Sequence, residues 1–372
     1  MKKRISFVLA LVLCASFFSA CGSGESSSAA SSDTPSASET PESSADPEPV
    51  TSASSEAPEV QANDTTAHSL GSIDPSTLEH AVAEGAPTVY YTSDISADGI
   101  MAIYEALNRP AVGENVAVKI STGEPGGTHF LAPSLIGGLV QSVDGTIVEC
   151  NTAYGGSRAN TAMHYQVAED HGFTAIADVV IMDETDSMTI PVVGGTRLTE
   201  NYVGARFADY DFHMVLSHFK GHAMGGFGGA LKNLSIGYAS STGKSWIHSG
   251  GTSIESPWGG EQDAFLESMA EAAKSVVDSA GDNILYINVM NHLSVDCDCD
   301  SNPAAPTMAD IAILASLDPV ALDQACVDLV YAAPDGQDLV ERIESRNGIH
   351  TVEHAVEIGL GSREYTLVSI DG

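Results

Sequence analysis

Short runs of β-branched and aromatic residues alternate with helical periods along most of this chain, and this alternation limits the fold more than any other feature. Helical periods separate most of the predicted strands, which lie at residues 88–92, 115–121, 146–151, 177–183, 212–216, 284–290, 311–315 and 365–370. Such alternation is typical of βαβ units, which build a mostly parallel sheet with helices on both faces. The sequence therefore predicts an α/β fold.

Two of these runs also indicate which strands are buried. Residues 179–182 and 284–287 are apolar without alternation, as strands covered on both faces are. A β-rich excursion at residues 189–203 interrupts the pattern and could add a small lobe. We predict one α/β domain over residues 67–372.

The first 21 residues are typical of a lipoprotein signal peptide. A basic start at residues 2–4 precedes an apolar stretch at residues 5–18, and small residues then lead to Cys21. This pattern predicts that Cys21 is lipidated and begins the mature chain. An ordinary signal peptide with a chance cysteine is the alternative.

Residues 22–66 have the composition of a tether. They hold thirteen Ser, five Pro and nine Asp or Glu, with no Lys, Arg or aromatic residue. Such a segment buries too little apolar surface to offset the entropy of ordering it, so we expect it to be disordered. The sequence thus predicts a protein at the extracytoplasmic face of the cell membrane, bound to the membrane only through its lipid anchor.

The net charge of the chain is −35. A surface this acidic repels phosphate backbones, so nucleic acid is not an expected partner. The same balance suggests that a small-molecule partner is not strongly anionic.

The segments that follow five predicted strands are rich in Gly, His, Lys, Cys and Asp. In open α/β sheets, ligands bind outside the carboxyl ends of the strands. We therefore expect a pocket at one sheet edge, built from residues 122–127, 151–158, 217–233, 291–300 and 316–319.

Histidines and cysteines in these segments suggest a metal site. The predicted ligands are His218, His222, Cys297 and Cys299, a set that suits Zn or Fe. His218 and His222 would share one face of a helical turn, although the glycines around them equally favour a loop. The alternatives for the cysteines are a disulfide to another segment or free thiols. His218, Lys220 and His222 are the predicted acid–base residues.

The predicted substrate-binding residues are Arg158, Lys232 and Asn233, which would hold an anionic part of a small molecule. A structural salt bridge is the alternative for Arg158. The glycines at 225–229 precede a short helix whose backbone N–H groups could hold an anion, and close backbone packing is the alternative. The pattern lacks the Gly-Lys-Ser/Thr ending of a P-loop. Asp318, directly before a proline, is typical of a helix N-cap.

Several motifs together resemble the domain of unknown function 362 family. They are YGGSR at 154–158, SHFKGH at 217–222, GFGGALKN at 226–233, CDC at 297–299 and ILASLDPVA at 313–321. The resemblance is collinear over residues 86–372. Some members of the family are described as uncharacterised iron–sulfur centre proteins, with a ferredoxin-like insert of Cys-x-x-Cys runs. Residues 249–262 of this chain contain no cysteine, so the resemblance implies no ferredoxin-type 4Fe–4S cluster here.

These features together predict a surface-anchored lipoprotein with a pocket at the strand carboxyl ends. The expected chemistry is metal- or thiol-dependent, including redox chemistry, on a small molecule. The alternative is a non-catalytic lipoprotein that binds a metal ion or a solute. The sequence is compatible with both function classes, an enzyme and a binding protein.

Overall fold

The computed structural model of the protein describes residues 74–372. The predicted signal peptide, the lipidation site Cys21 and the tether lie outside these residues. Within residues 74–372, no helix combines the length and the apolar character needed to cross a membrane.

An eight-stranded sheet forms the centre of the fold, and two small hairpins accompany it. Numbered in chain order, the strands are β1 (Thr88–Thr92), β2 (Val116–Lys119), β3 (Gly145–Glu149), β4 (Val179–Ile181), β5 (Ser187–Pro191), β6 (Glu200–Gly204), β7 (Phe212–His218), β8 (Lys220–His222), β9 (Gly226–Gly228), β10 (Ile284–Val289), β11 (Ile313–Ser316) and β12 (Thr366–Ser369). The order in the large sheet is β12-β1-β11-β10-β7-β2-β3-β4. The hairpins are β5–β6, within the predicted β-rich excursion, and β8–β9.

Helices connect most of these strands. They are α1 (Ala97–Ala106), α2 (Pro133–Ser142), α3 (Thr161–Asp170), α4 (Ala230–Lys232), α5 (Ser241–His248), α6 (Gln262–Ala280), α7 (Pro319–Ala332), α8 (Gln337–Ser345) and α9 (His350–Glu357). Helices α1 to α3 cover one face of the sheet with apolar residues such as Ile100 and Leu139. Helices α4, α6, α7 and α9 cover the other face. The predicted α/β class, with helices on both faces, is confirmed.

Burial on both faces explains the unbroken apolar strands. In β10, Leu285 and Ile287 point into the core beneath α1 to α3, while Ile284 and Tyr286 point into the opposite core. Because side chains alternate along a strand, a strand between two cores needs apolar residues at every position. All six residues of β10 are buried accordingly.

One strand of the large sheet runs against the others. β11 pairs antiparallel with both β1 and β10, whereas the remaining neighbours pair in parallel. Its carboxyl end therefore lies at the opposite sheet edge from the ends of β2, β3, β7 and β10. The expectation that residues 316–319 join the pocket is wrong for this reason. Asp318 instead caps α7, accepting hydrogen bonds from the N–H groups of Val320 and Ala321 at 2.9 and 3.0 Å.

Candidate functional site

Two adjoining cavities lie at the carboxyl ends of β2, β3, β7 and β10. The inner cavity has a volume of about 70 Å³ and the outer one about 300 Å³. Both are lined by Thr152, Tyr154, His222 and Cys299. A single ligand can therefore extend from the inner cavity into the outer one. The pocket predicted at this edge is present, built from four strands rather than five.

The β8–β9 hairpin carries His222 to the cavities. β7 ends at His218 and β8 begins at Lys220, so both histidines lie on strands, and the alternative of a shared helical turn is wrong. Gly221 makes this path possible, because a Cβ there would lie 2.3 Å from the carbonyl oxygen of Val295. The N–H of Gly221 also donates to the carbonyl of Ser294 at 2.7 Å. The hairpin consequently packs directly against the segment that bears the two cysteines.

Asp298, between the two cysteines, anchors their segment to the hairpin. Its carboxylate accepts from Nδ1 of His218 at 2.8 Å and from Nζ of Lys220 at 2.6 Å. All three residues are buried. Burial alone would raise the pKa of Asp298, but Lys220 and His218 outweigh it and hold that pKa far below its usual range. Asp298 is therefore ionised, and Lys220 serves as its ion-pair partner.

His218 has a different role from the predicted metal ligand and base. Its Nδ1 faces the ionised carboxylate of Asp298, and its Nε2 lies 2.6 Å from the carbonyl oxygen of Asn291. Both ring nitrogens are therefore engaged by oxygen atoms of the protein itself. Neither is free for a metal ion or a substrate proton, so His218 holds the Asp298 segment against the end of β7 instead.

Three of the four predicted metal ligands do come together. One ligand atom each from His222, Cys297 and Cys299 lies within 4.8 Å of the others. Both cysteines are free thiols, so the disulfide alternative does not apply in this structure. Two sulfurs and one imidazole suit Zn or Fe, and three protein ligands would leave one position of a four-coordinate ion for another ligand.

The surroundings of the cluster favour the thiolate form of Cys297. A hydrogen bond from the thiol of Cys299 to the sulfur of Cys297 lowers the pKa of Cys297. Burial opposes this shift, but the nearby Lys232 and Lys220 reinforce it, so the pKa of Cys297 lies well below its usual range. The Nζ of Lys232 lies 3.5 Å from the Cys297 sulfur, and the N–H of Cys299 lies 3.3 Å from it. Cys297 is thus the natural anionic ligand of the set.

His222 meets the requirements of a metal ligand only in part. Burial, with smaller effects from neighbouring cations such as Lys232, holds its pKa well below the usual value, so the ring is neutral. Its Nδ1 accepts from the N–H groups of Gly225 at 2.8 Å and Met224 at 3.3 Å, which places the ring proton on Nε2. Binding a metal ion therefore requires either loss of that proton or exchange of the two backbone partners for the ion.

Arg158 lines the inner cavity, but two carboxylates neutralise it. Its Nε lies 3.1 Å from Glu124, and its guanidinium also lies 3.1 Å from Glu149. Glu149 in turn pairs with Lys119 at 3.0 Å. The structure thus places Arg158 in a buried salt-bridge network, as its structural alternative expected.

Asn233 is also fully engaged by the protein. Its Nδ2 donates to the carbonyl oxygens of Lys119 and Leu216 and to the hydroxyl of Ser217, and its Oδ1 accepts from Nζ of Lys119 at 3.1 Å. This network fastens the turn after α4 to the ends of β2 and β7. Asn233 therefore has no free group with which to make the predicted contact with substrate.

The start of the glycine-rich helix is occupied by a carboxylate of the protein itself. Asp323 of α7 accepts from the N–H groups of Ala230 and Leu231 at 2.8 and 2.9 Å. A Cβ at Gly229 would lie 2.3 Å from the Asp323 carboxylate, so only glycine allows this approach. The N–H groups predicted as an anion site are therefore already satisfied, and close packing is the correct alternative.

The structure adds residues that our reading of the sequence missed. Lys119, Lys244 and His248 all line the inner cavity. The N–H at Nδ1 of His248 donates to the carbonyl of Lys244 at 2.8 Å, and the Tyr154 hydroxyl lies 3.1 Å from Nε2. Burial lowers the pKa of His248 to about 3, so this ring is neutral. Lys119 could have been noticed in the sequence, because a lysine inside the apolar run of β2 is unusual. Lys244 could not, because in the sequence it resembles an ordinary residue on a helix surface.

Two solved structures are weakly similar to this chain. The lactate racemase apoprotein from Thermoanaerobacterium thermosaccharolyticum is 13% identical with a TM-score of 0.39, over 66% of this chain and 57% of its own. A protein from Thermotoga maritima is 14% identical with a TM-score of 0.35, over 74% of this chain and 61% of its own. The chain thus spans less than two thirds of either protein, and likenesses this weak do not bear on its activity.

The family comparison is more specific. No curated protein matches the chain. The model of the family described as "Domain of unknown function (DUF362)" matches residues 116–328, which is more than half of the chain. The matched residues include β2, the β8–β9 hairpin, Cys297, Cys299 and most of α7. The chain therefore belongs to the DUF362 family.

Proposed function

We propose that His222, Cys297 and Cys299 bind one transition-metal ion, zinc or iron, and that this site acts on a small molecule held in the two joined cavities. The observation that carries the proposal is the approach of three ligand atoms to within 4.8 Å of one another. It is supported by the free thiols, by the lowered pKa of Cys297 and by the position of Cys299 on the wall of both cavities.

A bound zinc ion would supply Lewis-acid chemistry at this position, and a bound iron ion redox chemistry. The protein's own residues would hold and orient the site. Asp298 fixes the cysteine segment against Lys220 and His218, and Lys232 lies beside the Cys297 sulfur. Because the outer cavity reaches Cys299 and His222, a small molecule can approach the open ligand position from there.

Elemental analysis of the purified full chain tests this proposal. We expect about one equivalent of zinc or iron per chain, lost on treatment with a chelator and restored when the metal alone is added back. A chain that holds no stoichiometric zinc or iron, both as purified and after incubation with each ion, would overturn the metal site. Metal-dependent turnover of a panel of small molecules would then separate an enzyme from a binding protein.

We also propose that the mature chain is a lipoprotein joined to the membrane through Cys21, with residues 22–66 as the tether. In cells that export the protein, metabolic labelling with a fatty acid should mark the wild-type chain, and Cys21→Ser should abolish the label because lipidation needs that thiol. Cys14→Ser, within the apolar stretch, is the matched control and should keep the label. A labelled Cys21→Ser chain would contradict the proposal.

A further inference from the structure

Positive charge is concentrated around the inner cavity. The chain has fifteen Lys and Arg residues against fifty Asp and Glu. Five of the fifteen line this one cavity of about 70 Å³: Lys119, Arg158, Lys220, Lys232 and Lys244. In a chain with a net charge of −35, this arrangement needs a specific explanation.

Three of these five cations pair with carboxylates of the protein, and a fourth lies beside a sulfur. Lys119 and Arg158 share Glu149, and Arg158 also pairs with Glu124. Lys220 pairs with Asp298, and Nζ of Lys232 lies 3.5 Å from the Cys297 sulfur. Each of these four side chains thus has a carboxylate or a sulfur of the protein as its neighbour.

Lys244 is the exception. It is 4% exposed, and its Nζ donates only to the carbonyl oxygens of Cys150, at 3.3 Å, and Ala239. Asp183 influences it electrostatically but accepts from the N–H groups of Asn151 and Ser241, and no carboxylate among residues 74–372 forms an ion pair with Lys244. Burial without a paired carboxylate disfavours the ammonium form and lowers the pKa of Lys244, and an anion in the cavity would favour the charged form again.

Two serine hydroxyls face the same cavity with hydrogen-bonding capacity left. Ser217 accepts from Nδ2 of Asn233 at 3.2 Å, and Ser121 accepts from the guanidinium of Arg158 at 3.4 Å. Each hydroxyl can also donate one hydrogen bond. In the described part of the chain, neither hydroxyl proton has an acceptor. The cavity thus combines one lysine that has no carboxylate partner with two O–H groups that can still donate.

We infer that the inner cavity binds the oxyanion group, carboxylate or phosphate, of a small organic substrate, with Lys244 as its counter-charge and Ser121 and Ser217 as hydrogen-bond donors. Ammonium and hydroxyl donors around a small cavity match an oxyanion. This inference moves anion recognition from Arg158, which pairs with Glu124 and Glu149, and from Asn233, which is hydrogen-bonded within the protein, to Lys244.

The position of the anion also orients the rest of the molecule, and this part of the inference rests on the proposed function. Tyr154, His222 and Cys299 line both cavities. A substrate whose oxyanion lies at Lys244 would extend past these residues and bring its next atoms to the metal site. The substrate class is therefore a small organic acid or phosphate ester with its reacting group close to the anionic end.

The test is calorimetric titration of the metal-free, chelator-treated full chain in chloride-free buffer. The probes are acetate, inorganic phosphate, chloride and the uncharged acetamide. We expect acetate or phosphate to bind the wild-type chain and acetamide not to bind. Tighter binding of acetate would identify a carboxylate as the group, and tighter binding of phosphate a phosphate.

Lys244→Met keeps most of the side-chain volume and removes the charge. It should weaken binding of the preferred oxyanion by about tenfold or more, as loss of a charged hydrogen bond does. Lys274→Met is the matched control, because Lys274 pairs with Asp278 on α6 and does not line the cavity; it should bind as wild type. If Lys244→Met does not fold, the Ser121→Ala/Ser217→Ala double variant keeps every charge and should also bind more weakly.

Two results would overturn the inference: wild-type protein that binds neither oxyanion or prefers chloride, and folded Lys244→Met that binds as wild type. Because the titration uses metal-free protein and Lys244 is not a proposed ligand, oxyanion binding should persist even if the metal site proves wrong. Metal bound without oxyanion binding would instead leave the proposed function standing and remove only this assignment of substrate class.

Discussion

Asp298→Ala should lower the free energy of unfolding by about 3–5 kcal/mol, the usual cost of removing one partner from a buried ion pair. The carboxylate of Asp298 is the common partner of Nδ1 of His218 and the ammonium of Lys220, at 2.8 and 2.6 Å. Without it, the ammonium of Lys220 would remain buried without a counter-charge, and Nδ1 of His218 would lose its partner. Urea unfolding of the metal-free full chain measures the difference.

Asp300→Ala is the matched control for this experiment. Asp300 lies two residues further along and is exposed, and its carboxylate accepts only from the N–H of Asn302 at 2.9 Å. Its replacement should change stability by no more than about 0.5 kcal/mol, as for other surface positions. If Asp298→Ala cost less than about 1 kcal/mol, the His218–Asp298–Lys220 network would not be what holds the cysteine segment in place.

His222→Ala and Cys297→Ser should each remove most of the bound metal, and the double variant should lose little more than either single variant. Ligands of one ion act together, so their losses are strongly non-additive. His222 and Cys297 are far apart in sequence, and the β8–β9 hairpin brings their ligand atoms to within 4.8 Å. Metal content and metal affinity of the wild type, both singles and the double supply the complete cycle.

Cys326→Ala provides the control for loss of a thiol. Cys326 is a buried free cysteine on α7 whose sulfur accepts from the side chain of Asn288, and it does not belong to the metal cluster. This variant should keep its full complement of metal. Independent, additive losses in the two site variants would show that His222 and Cys297 do not share one ion.

The fold could be predicted because burial on both faces appears directly in the sequence. Residues 284–289 are apolar at nearly every position, which only a central strand between two cores requires. The sequence contains no comparable indication of strand direction. The four residues of β11 are as apolar as those of its neighbours, and its antiparallel course depends on the partners it meets, so the position of Asp318 could not be predicted.

The site was predictable in its residue types but not in its pairings. Because His222, Cys297 and Cys299 follow predicted strands, the sequence correctly indicated that they lie at one sheet edge. The role of His218 depends on Asp298, 80 residues away, and no local pattern indicates which acceptor a histidine will meet. The acidic composition suggested a partner that is not strongly anionic, whereas the structure gathers five cations around one cavity, because overall charge describes the surface and not the pocket.

The reversed direction of β11 also determines where the chain can accept a longer loop. Since β10 and β11 are antiparallel neighbours, the segment that joins them needs no crossover helix and leaves and re-enters the sheet at the same edge. Its two ends are fastened together by the hydrogen bonds between Met290 and Ala312 and between Ile311 and Met290, both 2.9 Å. The length of the 290–312 segment can therefore change without altering the order or direction of any strand in the large sheet, provided that Ser294 and Asp298 keep their contacts with Gly221 and Lys220.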